Sequence, residues 1–490
     1  MQESSRFKIF SFQGPTRILH LSWFAFFLTF VAWFNHAPLL VAIQSTLHLT
    51  DQEIKTLLIL NVALTIPARI LIGMLVDTLG PKRVYTALLA LTAIFCFAFA
   101  LVQNFQQAAI IRFLLGFIGA GFVVGIRLIS EWYPSKQVGL AEGIYGGWGN
   151  FGSAAAALSL PIIAGIWGGD NGWRFAIALT GLLALIYAFI FYFNVSDTPK
   201  GSTYFKPKKT GAMEVSSKGD LILYLLALLP IYGALMLLIW KLGPGQLQLM
   251  NAYLCNSLYT LLILVWIFHC WDVVRINKNI FISQVPEFDR YSFRQVSILN
   301  LAYLVTFGSE LAVISMLPLF FKDTFALSIV EAGIWASGFA VMNLVARPWG
   351  GMLSDKFGRK KTLIIIFIGI VLGYLLMSNI NSQWPLIYAL VATILCSICV
   401  KSGNGAVFAV IPLIKRRFTG QIAGLAGAYG NVGGLVFLTV FSVASPQLFF
   451  LFIAGSALIC LVLIFLFMKE PKGHMAEVMP DGTVQLIDVA

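Results

Sequence analysis

Charged residues are scarce in this sequence. Only 11% of its 490 residues are Asp, Glu, Lys or Arg, whereas 59% are hydrophobic. Water-soluble domains carry about 25% charged residues, so this composition excludes a soluble protein. Apolar stretches of about 20 residues, the length that crosses a bilayer as a helix, recur along the chain instead. The sequence is that of a membrane protein with many spans.

Metal-binding and redox patterns are also missing. The five His are dispersed along the chain, and the six Cys lie in or at the ends of apolar segments. Cys396 and Cys399 have C-x-x-C spacing, but no second Cys pair and no His cluster accompanies them. We therefore expect the cysteines to be small core residues, and we expect no metal, no cofactor and no enzyme active site.

Fourteen apolar segments can be counted. Six begin near residues 18, 55, 84, 107, 140 and 174, two lie near 220–241 and 249–271, and six more begin near 296, 328, 362, 384, 420 and 446. An even number of spans predicts that both termini lie on the same side. The first apolar stretch is long and has no small-residue cleavage site, so we expect no cleavable signal peptide.

Basic residues are divided unequally between the two faces. Of the 33 Lys and Arg, most fall in the loops on the side of the termini. The opposite loops hold only Lys55, Arg174, Lys241 and Lys322. This asymmetry follows the positive-inside rule and predicts cytoplasmic termini in the inner or plasma membrane. It also explains the net charge of +12 without a nucleic-acid partner.

The sequence is duplicated. Residues 68–83, ARILIGMLVDTLGPKR, share Ala-Arg, Gly-Met-Leu, an Asp and a following Gly with residues 346–361, ARPWGGMLSDKFGRKK. Residues 143–152, GIYGGWGNFG, align with residues 424–433, GLAGAYGNVG. These stretches occupy the second and fifth spans of each group of six. Parallel duplication of this kind is typical of transporters whose substrate site lies between the two halves.

The loop with the pattern G-x-x-x-D-x-x-G-x-[KR]-[KR] occurs once in each half. It resembles the loop between spans two and three of the major facilitator superfamily. Glycine permits close helix contact and a tight turn, and the Asp can accept hydrogen bonds from neighbouring helix ends. A simple basic turn is the alternative. The predicted gating and structural residues of this motif are Gly73, Asp77, Gly80, Gly351, Asp355 and Gly358.

Within that superfamily the chain is similar to the nitrate/nitrite porters. Their glycine-rich signatures resemble GGWGNFGS and GNVGG, which lie at Gly149 and Gly430, and their two intramembrane arginines fall on Arg69 and Arg347. The stretches LAYLVTFGSELA and GAGFVVGIRLISEWYP also look like theirs. The resemblance implies transport of nitrate or nitrite by alternating access, either as nitrate/nitrite antiport or as symport of nitrate with protons.

The expected fold is an all-α membrane protein of the major facilitator type, with two six-helix bundles related by pseudo-twofold symmetry. We expect the bundles at 1–199 and 296–468, a linker with two additional transmembrane helices at 200–295, and a cytoplasmic tail at 469–490. Relatives typically have twelve spans, so the extra pair is a departure. We expect it to face lipid outside the transport path; a regulatory or dimer-forming element is the alternative, and the protein is expected to be monomeric.

Seven side chains are predicted to share one depth in the bilayer. Each lies about 13 or 14 residues, roughly 20 Å of helix, from a basic residue that marks the cytoplasmic surface. That distance reaches the midplane of a hydrocarbon layer about 30 Å thick. The seven are Arg69, Arg347, Asn150, Asn431, Phe122, Phe307 and Lys401.

The two arginines are the strongest indication of a binding site. Placing Arg at the bilayer centre costs about 3 kcal/mol on insertion scales. A structural ion pair is the alternative, but only Glu310 lies near the corresponding depth. We expect Arg69 and Arg347 to contact substrate, because the planar guanidinium fork suits a flat oxyanion such as nitrate or nitrite.

The remaining polar and aromatic residues have less specific roles. Phe122 and Phe307 are expected to form flat walls and Tyr303 to offer a hydroxyl donor, although packing is a common role for aromatic residues. Tyr303, Phe307 and Glu310 fall on one helical stripe.

The two asparagines lie in glycine-rich helices that small residues allow to pack closely. We expect Asn150 and Asn431 to orient a substrate oxygen; close packing with incidental asparagines is the alternative. Lys401 has no evident local partner, and with Glu310 it is a possible coupling residue. Arg127 and Glu131, at i and i+4, are expected to form an ion pair.

Two other functions are compatible with parts of the pattern. A fourteen-span exporter of another small anion or of a drug would explain the span count, but a drug exporter should show acidic residues in its cavity. A nitrate sensor would need a cytoplasmic output domain, and the predicted tail is too short to form one.

Overall fold

The computed structural model describes residue 7 and residues 9–169, 171–246, 248, 250–478 and 483–489. Outside this part of the chain lie residues 1–6, 8 and 170 of the expected first bundle, residues 247 and 249 of the expected linker, and residues 479–482 and 490 of the expected tail.

The described chain is almost entirely helical. Its first part contains α1 (Gly14–Phe34), α2 (Leu40–Leu47), α3 (Asp51–Ala63), α4 (Thr65–Leu79), α5 (Pro81–Ala100), α6 (Phe105–Leu115), α7 (Gly121–Trp132), α8 (Ser135–Asn150), α9 (Gly152–Trp167) and α10 (Gly172–Asn194). Two helices follow, α11 (Lys218–Leu242) and α12 (Ala252–Ile276). The last part contains α13 (Phe293–Phe325), α14 (Ile329–Val341), α15 (Asn343–Phe357), α16 (Arg359–Met377), α17 (Leu386–Phe408), α18 (Thr419–Phe441) and α19 (Pro446–Phe467).

Several spans consist of two helices in line, namely α1 with α2, α3 with α4, α6 with α7, α8 with α9, and α14 with α15. Within the described residues, thirteen helical segments are long and apolar enough to cross a membrane. The segment formed by α14 and α15, where the sequence predicts a further span, is not one of the thirteen. The predicted all-α membrane fold is therefore confirmed, with a span count close to the expected one.

The two halves meet along pairs of helices. α4 packs against α18, and α8 packs against α15. A Cβ added to Gly73 would lie 2.4 Å from the Gly420 carbonyl oxygen, and one added to Gly351 would lie 1.9 Å from the Gly139 carbonyl oxygen. At both crossings only glycine lets the backbones approach so closely. The close contact expected for Gly73 and Gly351 is thus present.

The two motif aspartates fasten these crossings. The Asp77 carboxylate accepts hydrogen bonds from the backbone N–H groups of Gly420 (2.9 Å) and Gln421 (2.8 Å), in the first turn of α18. The Asp355 carboxylate likewise accepts from Gly139 (3.0 Å) and Leu140 (2.8 Å) of α8. Each carboxylate therefore joins one half to the other.

The second glycine of each motif forms the turn that follows. Gly80 has φ 90° and Gly358 has φ 97°, in the left-handed region that favours glycine. These turns link α4 to α5 and α15 to α16, so the tight turns expected from the sequence are present.

Ion pairs surround the crossings on the side of the loops that hold Lys82, Lys136 and Lys360, called the basic side below. The predicted pair of Arg127 with Glu131 is confirmed, and Arg127 also lies 2.9 Å from Asp77. Arg359 pairs with Asp355. Arg416, from the second half, lies 3.5 Å from Glu131 in the first. Polar bonds thus close the basic side.

The two additional helices lie beside the second half. α11 packs against α13, α18 and α12, and the Tyr429 hydroxyl of α18 donates to the Ala227 carbonyl of α11 at 2.8 Å. α12 is exposed along most of its length. The segment leading into α11 instead reaches the first half, where the Tyr204 hydroxyl donates to the Val76 carbonyl at 2.6 Å.

An antiparallel hairpin follows α19 on the basic side. β1 (His474–Val478) pairs with β2 (Val484–Asp488). Glu477 is buried 3.8 Å from Lys415 and 3.9 Å from Arg417. Burial lowers the pKa of the Lys415 ammonium, and the nearby Glu477 carboxylate opposes that shift. This hairpin was not expected from the sequence.

Replacing Gly73 with Ala should destabilise the protein. The added methyl group would lie 2.4 Å from a backbone oxygen, and overpacking of this kind costs about 1–3 kcal/mol. The midpoint of thermal unfolding in detergent should fall. Gly233→Ala is the matched control, since a Cβ there meets nothing within 4 Å; an equal fall in both variants would contradict the role given to the crossing.

Candidate functional site

Arg69 and Arg347 lie between the two halves and are each 1% exposed. On α4, Arg69 donates from Nη1 to the Gly427 carbonyl of α18 at 2.7 Å and from Nε to the Gly119 carbonyl at 3.4 Å. On α15, Arg347 donates from Nη2 to the Tyr303 hydroxyl at 3.3 Å. Arg69 is therefore bonded to the opposite half, whereas Arg347 is bonded to α13 of its own half.

Each arginine faces a glycine of the opposite half. A Cβ on Gly427 would lie 2.9 Å from Cδ of Arg69, and a Cβ on Gly146 would lie 2.6 Å from Nε of Arg347. Any larger residue at either position would collide with the arginine. The glycine-rich stretches of α8 and α18 thus provide the space that the two long side chains occupy.

Neither arginine is paired with an acid. Among the described residues, no carboxylate oxygen lies within 4.0 Å of Arg69 or Arg347. Nη1 of Arg347 and both polar atoms of the Asn431 side chain are buried without a hydrogen-bond partner in that part of the chain. Buried polar groups are normally satisfied, so these atoms have capacity for a bound anion.

Aromatic rings line the space around the guanidinium groups. Cζ of Arg69 lies 5.9 Å and Cζ of Arg347 lies 4.9 Å from the centroid of the Phe122 ring. Arg69 also lies 5.3 Å from the Phe307 centroid. The rings of Tyr303 and Phe307 stack at 5.0 Å, and those of Phe122 and Tyr303 are parallel at 6.4 Å. The structure therefore brings both arginines and all three predicted aromatic residues together.

The glycine before each asparagine leaves room for an aromatic ring. A Cβ on Gly149 would lie 1.9 Å from Cδ1 of Phe26, and one on Gly430 would lie 2.7 Å from the ring of Tyr303. Asn150 is buried at the last residue of α8, and Asn431 is buried within α18. The two copies of the signature thus share a glycine packed against an aromatic ring, but they differ in helix geometry, because Asn150 ends α8 whereas Asn431 lies inside α18.

Two aromatic neighbours were missed by the sequence interpretation. Phe408 packs edge-on against Phe122 at 4.6 Å and against Tyr303 at 4.7 Å. Phe26 lies 5.4 Å from Phe122. Phe26 lies outside both aligned stretches of the duplication, so the sequence comparison gave no signal for it. Phe408 falls two turns after Lys401 on the same face of its helix.

Lys401 does have a partner, contrary to the interpretation from local sequence. Its Nζ lies 2.5 Å from Oε1 of Glu310. Glu310 also accepts from Nδ2 of Asn343 at 2.7 Å and from Nδ2 of Asn404 at 2.5 Å. The contact was not visible locally because α13 and α17 are far apart in the chain. Both residues belong to the second half, in a buried and well-bonded cluster.

Comparison with known proteins agrees with this architecture. The sequence model of the Major Facilitator Superfamily matches residues 22–275 and 299–483. The nitrate/nitrite transporter NrtP of Nostoc punctiforme is 45% identical over 478 residues, covering 96% of this chain and 95% of that protein. NrtP of a Picosynechococcus species is 44% identical, covering 96% of each.

A solved structure shows the same fold. The proton:xylose symporter XylE bound to 6-bromo-6-deoxy-D-glucose superposes with a TM-score of 0.62 at 16% identity, over 93% of this chain and 96% of that chain. The fold is that of a major facilitator transporter. The chain belongs to the Major Facilitator Superfamily and, within it, to the nitrate/nitrite porter family.

Replacing Lys401 with Met should destabilise the protein strongly. The change leaves the Glu310 carboxylate buried without its counter-charge, and breaking a buried pair costs about 3–5 kcal/mol. Adding Glu310→Gln to the same protein should restore part of the lost stability, because the uncompensated charge is then removed. Thermal unfolding of both single variants and the double variant measures this; a double variant no more stable than Lys401→Met would contradict the expectation.

Proposed function

We propose that the protein transports nitrate and nitrite across the inner or plasma membrane by alternating access. The observation that carries the proposal is a pair of buried guanidinium groups, one from each half, which lie against the same Phe122 ring. Neither group is compensated by an acid within the described residues. The names of the two NrtP relatives support the choice of anion.

Charge and shape both favour a small, flat, monovalent oxyanion. Such an anion about 4 Å from each guanidinium would gain about 4 kcal/mol with each at an effective dielectric of 20. The guanidinium fork matches the plane of nitrate or nitrite. The rings of Phe122 and Tyr303, which are parallel at 6.4 Å, present flat faces that suit a planar ligand.

Each predicted site residue then has a role. Arg69 and Arg347 bind the anion, and Asn150 and Asn431 orient its oxygens. The Tyr303 hydroxyl donates a hydrogen bond to the anion and accepts one from Arg347, which it positions. Phe122 and Phe307 cover the faces of the anion. Gly149 and Gly430 make room for aromatic rings.

Transport would require the two bundles, 1–199 and 296–468, to rock about this site. The main contacts between the bundles run through α4, α7 and α8 on one side and α15, α17 and α18 on the other. The state described here is closed on the basic side, which we assign to the cytoplasm together with both termini and the 469–490 tail. The motif residues Gly73, Asp77, Gly80, Gly351, Asp355 and Gly358 form the gate. The 200–295 linker adds a peripheral pair of spans to a monomer.

Two modes of coupling complete the cycle, antiport of nitrate against nitrite and symport of nitrate with protons. An empty site with two facing guanidinium groups is unfavourable to close, which favours exchange of one anion for another. Lys401 and Glu310 are candidates for coupling, because a proton added to Glu310 would leave the charge of Lys401 unbalanced in the second half.

Replacing either arginine with Lys should abolish most of the nitrate flux. An ammonium keeps the charge but lacks the fork, and a hydrogen bond to a charged group is worth about 1.5–3 kcal/mol. We expect at least about a tenfold loss of initial uptake rate for Arg69→Lys and for Arg347→Lys. Uptake of labelled nitrate into proteoliposomes, with nitrite inside or with an imposed pH gradient, measures the effect.

Arg294→Lys is the matched control. Arg294 is exposed at the start of α13, so this variant should transport like the wild type. Wild-type rates in both site variants would contradict the proposed function.

A further inference from the structure

Glu142 has a buried carboxyl group whose two oxygens accept no hydrogen bond from the described residues. It lies on α8 and is 1% exposed, and neither carboxylate oxygen has a hydrogen-bond partner among the described residues. The buried carboxylates of Asp77, Asp355 and Glu310 each accept two hydrogen bonds from neutral groups and pair with a cation. An ionised carboxylate with no partner is costly to bury, so this closed arrangement suits a neutral carboxyl group at Glu142.

Glu142 lies in the seam that must open for an anion to leave on the basic side. Gly139, three residues earlier, donates to Asp355, and Gly146, four residues later, lies beside Nε of Arg347. Residues at i−3 and i+4 share a helix face with residue i. Glu142 therefore lies between the Asp355 gate contact and the proposed anion site, on the face of α8 that packs against α15.

The charged groups that influence Glu142 are, in decreasing order, Asp355 on α15, Arg359 on α16, Arg416 before α18 and Arg347 on α15. Arg359 is paired with Asp355 and Arg416 with Glu131. Arg347 has no acidic partner among the described residues and has an unused Nη1. Of these three cations, Arg347 is therefore the one that no carboxylate balances.

The other helices against α8 bring titratable groups that are already engaged. On α17, Lys401 is paired with Glu310. On α7, Arg127 is paired with Asp77 and Glu131. On α1, His20 hydrogen-bonds to the Ile9 carbonyl and accepts from the Trp23 indole N–H.

We propose that Glu142 is the proton-binding site that couples the anion to a proton. The proposal rests on the proposed function and deepens it by naming nitrate/proton symport and the group that carries the proton. A bound anion and an ionised Glu142 are alternative counter-charges for Arg347. When the anion binds, Glu142 takes up a proton and forms an O–H bond; when the basic side opens and the anion leaves, that bond breaks and the proton passes to water.

This exchange of counter-charges keeps the net charge of the seam constant. The loaded form holds the anion and a neutral Glu142, and the empty form holds an ionised Glu142 and no anion. Closing an empty seam with a neutral Glu142 would bury both guanidinium groups without a counter-charge, which is strongly unfavourable. An anion bound beside an ionised Glu142 would place two negative charges in the same seam, and protonation of Glu142 removes the repulsion between them. The aligned residue in the second copy is Ala423, so the duplication supplies one such carboxyl and one proton for each anion.

Glu142→Gln separates coupling from transport. Gln imitates the neutral form, so the loaded protein should still reorient, and nitrate counterflow at equal pH should remain close to the wild-type rate. The empty form can no longer balance Arg347, so nitrate accumulation driven by an inward proton gradient should fall to the level seen without a gradient. Both are measured in proteoliposomes with labelled nitrate.

Controls and contrary outcomes are defined by the same two assays. Glu287→Gln, at an exposed position, should accumulate and exchange nitrate like the wild type. Gradient-driven accumulation by Glu142→Gln at the wild-type level would overturn the proposal. A wild type that exchanges nitrate but ignores the pH gradient would overturn it too, while leaving the proposed function intact; a wild type with no nitrate flux in any mode would overturn the proposed function itself.

Calorimetry in detergent tests the linkage without transport. Nitrate titrations in buffers of different ionisation enthalpy should show uptake of about one proton per nitrate by the wild type and none by Glu142→Gln. Nitrate binding by the wild type without proton uptake, at every pH at which the protein stays folded, would overturn the proposal even if the variant failed to fold.

Discussion

Two guanidinium groups buried between the halves without acidic partners are the constraint on which the rest of the structure depends. Each can occupy its place only because the facing helix has a glycine there, Gly427 opposite Arg69 and Gly146 opposite Arg347. The same helices bring glycine backbones into contact two turns away, at Gly420 and at Gly139. The glycine-rich signatures are thus explained by the space that two long cationic side chains require.

Several charges away from the site have a counter-charge nearby. Arg127, Arg359 and Arg417 have carboxylates beside them, and Lys401 has Glu310. Arg112 is also buried without a carboxylate, but its guanidinium donates to Asn35, Asn61 and the Trp33 carbonyl. The positive field at the site itself comes from Arg69 and Arg347. Because that field attracts anions, an acid in the adjoining seam competes with the cargo for the same charge, which makes the protonation of Glu142 part of anion binding.

Much of the site could be predicted because it follows from duplication and depth. Aligning the two copies and counting residues from the basic loops placed Arg69, Arg347, Phe122 and Asn431 together, and the structure brings the first three within one cluster of contacts. The hydrogen bonds of Asp77 and Asp355 followed from their position at helix ends. These features depend on local pattern and on the bilayer thickness.

What could not be predicted depends on which distant helices touch. The pair of Lys401 with Glu310 joins α17 to α13, and the pair of Arg127 with Asp77 joins α7 to α4. Neither separation in sequence follows a helical period. Phe408 and Glu142 likewise gain their importance from neighbours in the other half. The terminal hairpin has no transmembrane pattern. Its packing against Leu413 joins segments that are far apart in the sequence, so no local pattern indicates it.

The glycine crossings have a consequence for how easily the molecule changes shape. Where Gly73 meets Gly420 and Gly139 meets Gly351, backbone lies against backbone, so little side-chain volume is locked between the helices at these two points. Separation there costs dispersion contacts and a few directional hydrogen bonds. Opening at these points therefore has to break the hydrogen bonds that the Asp77 and Asp355 carboxylates accept from the facing helices.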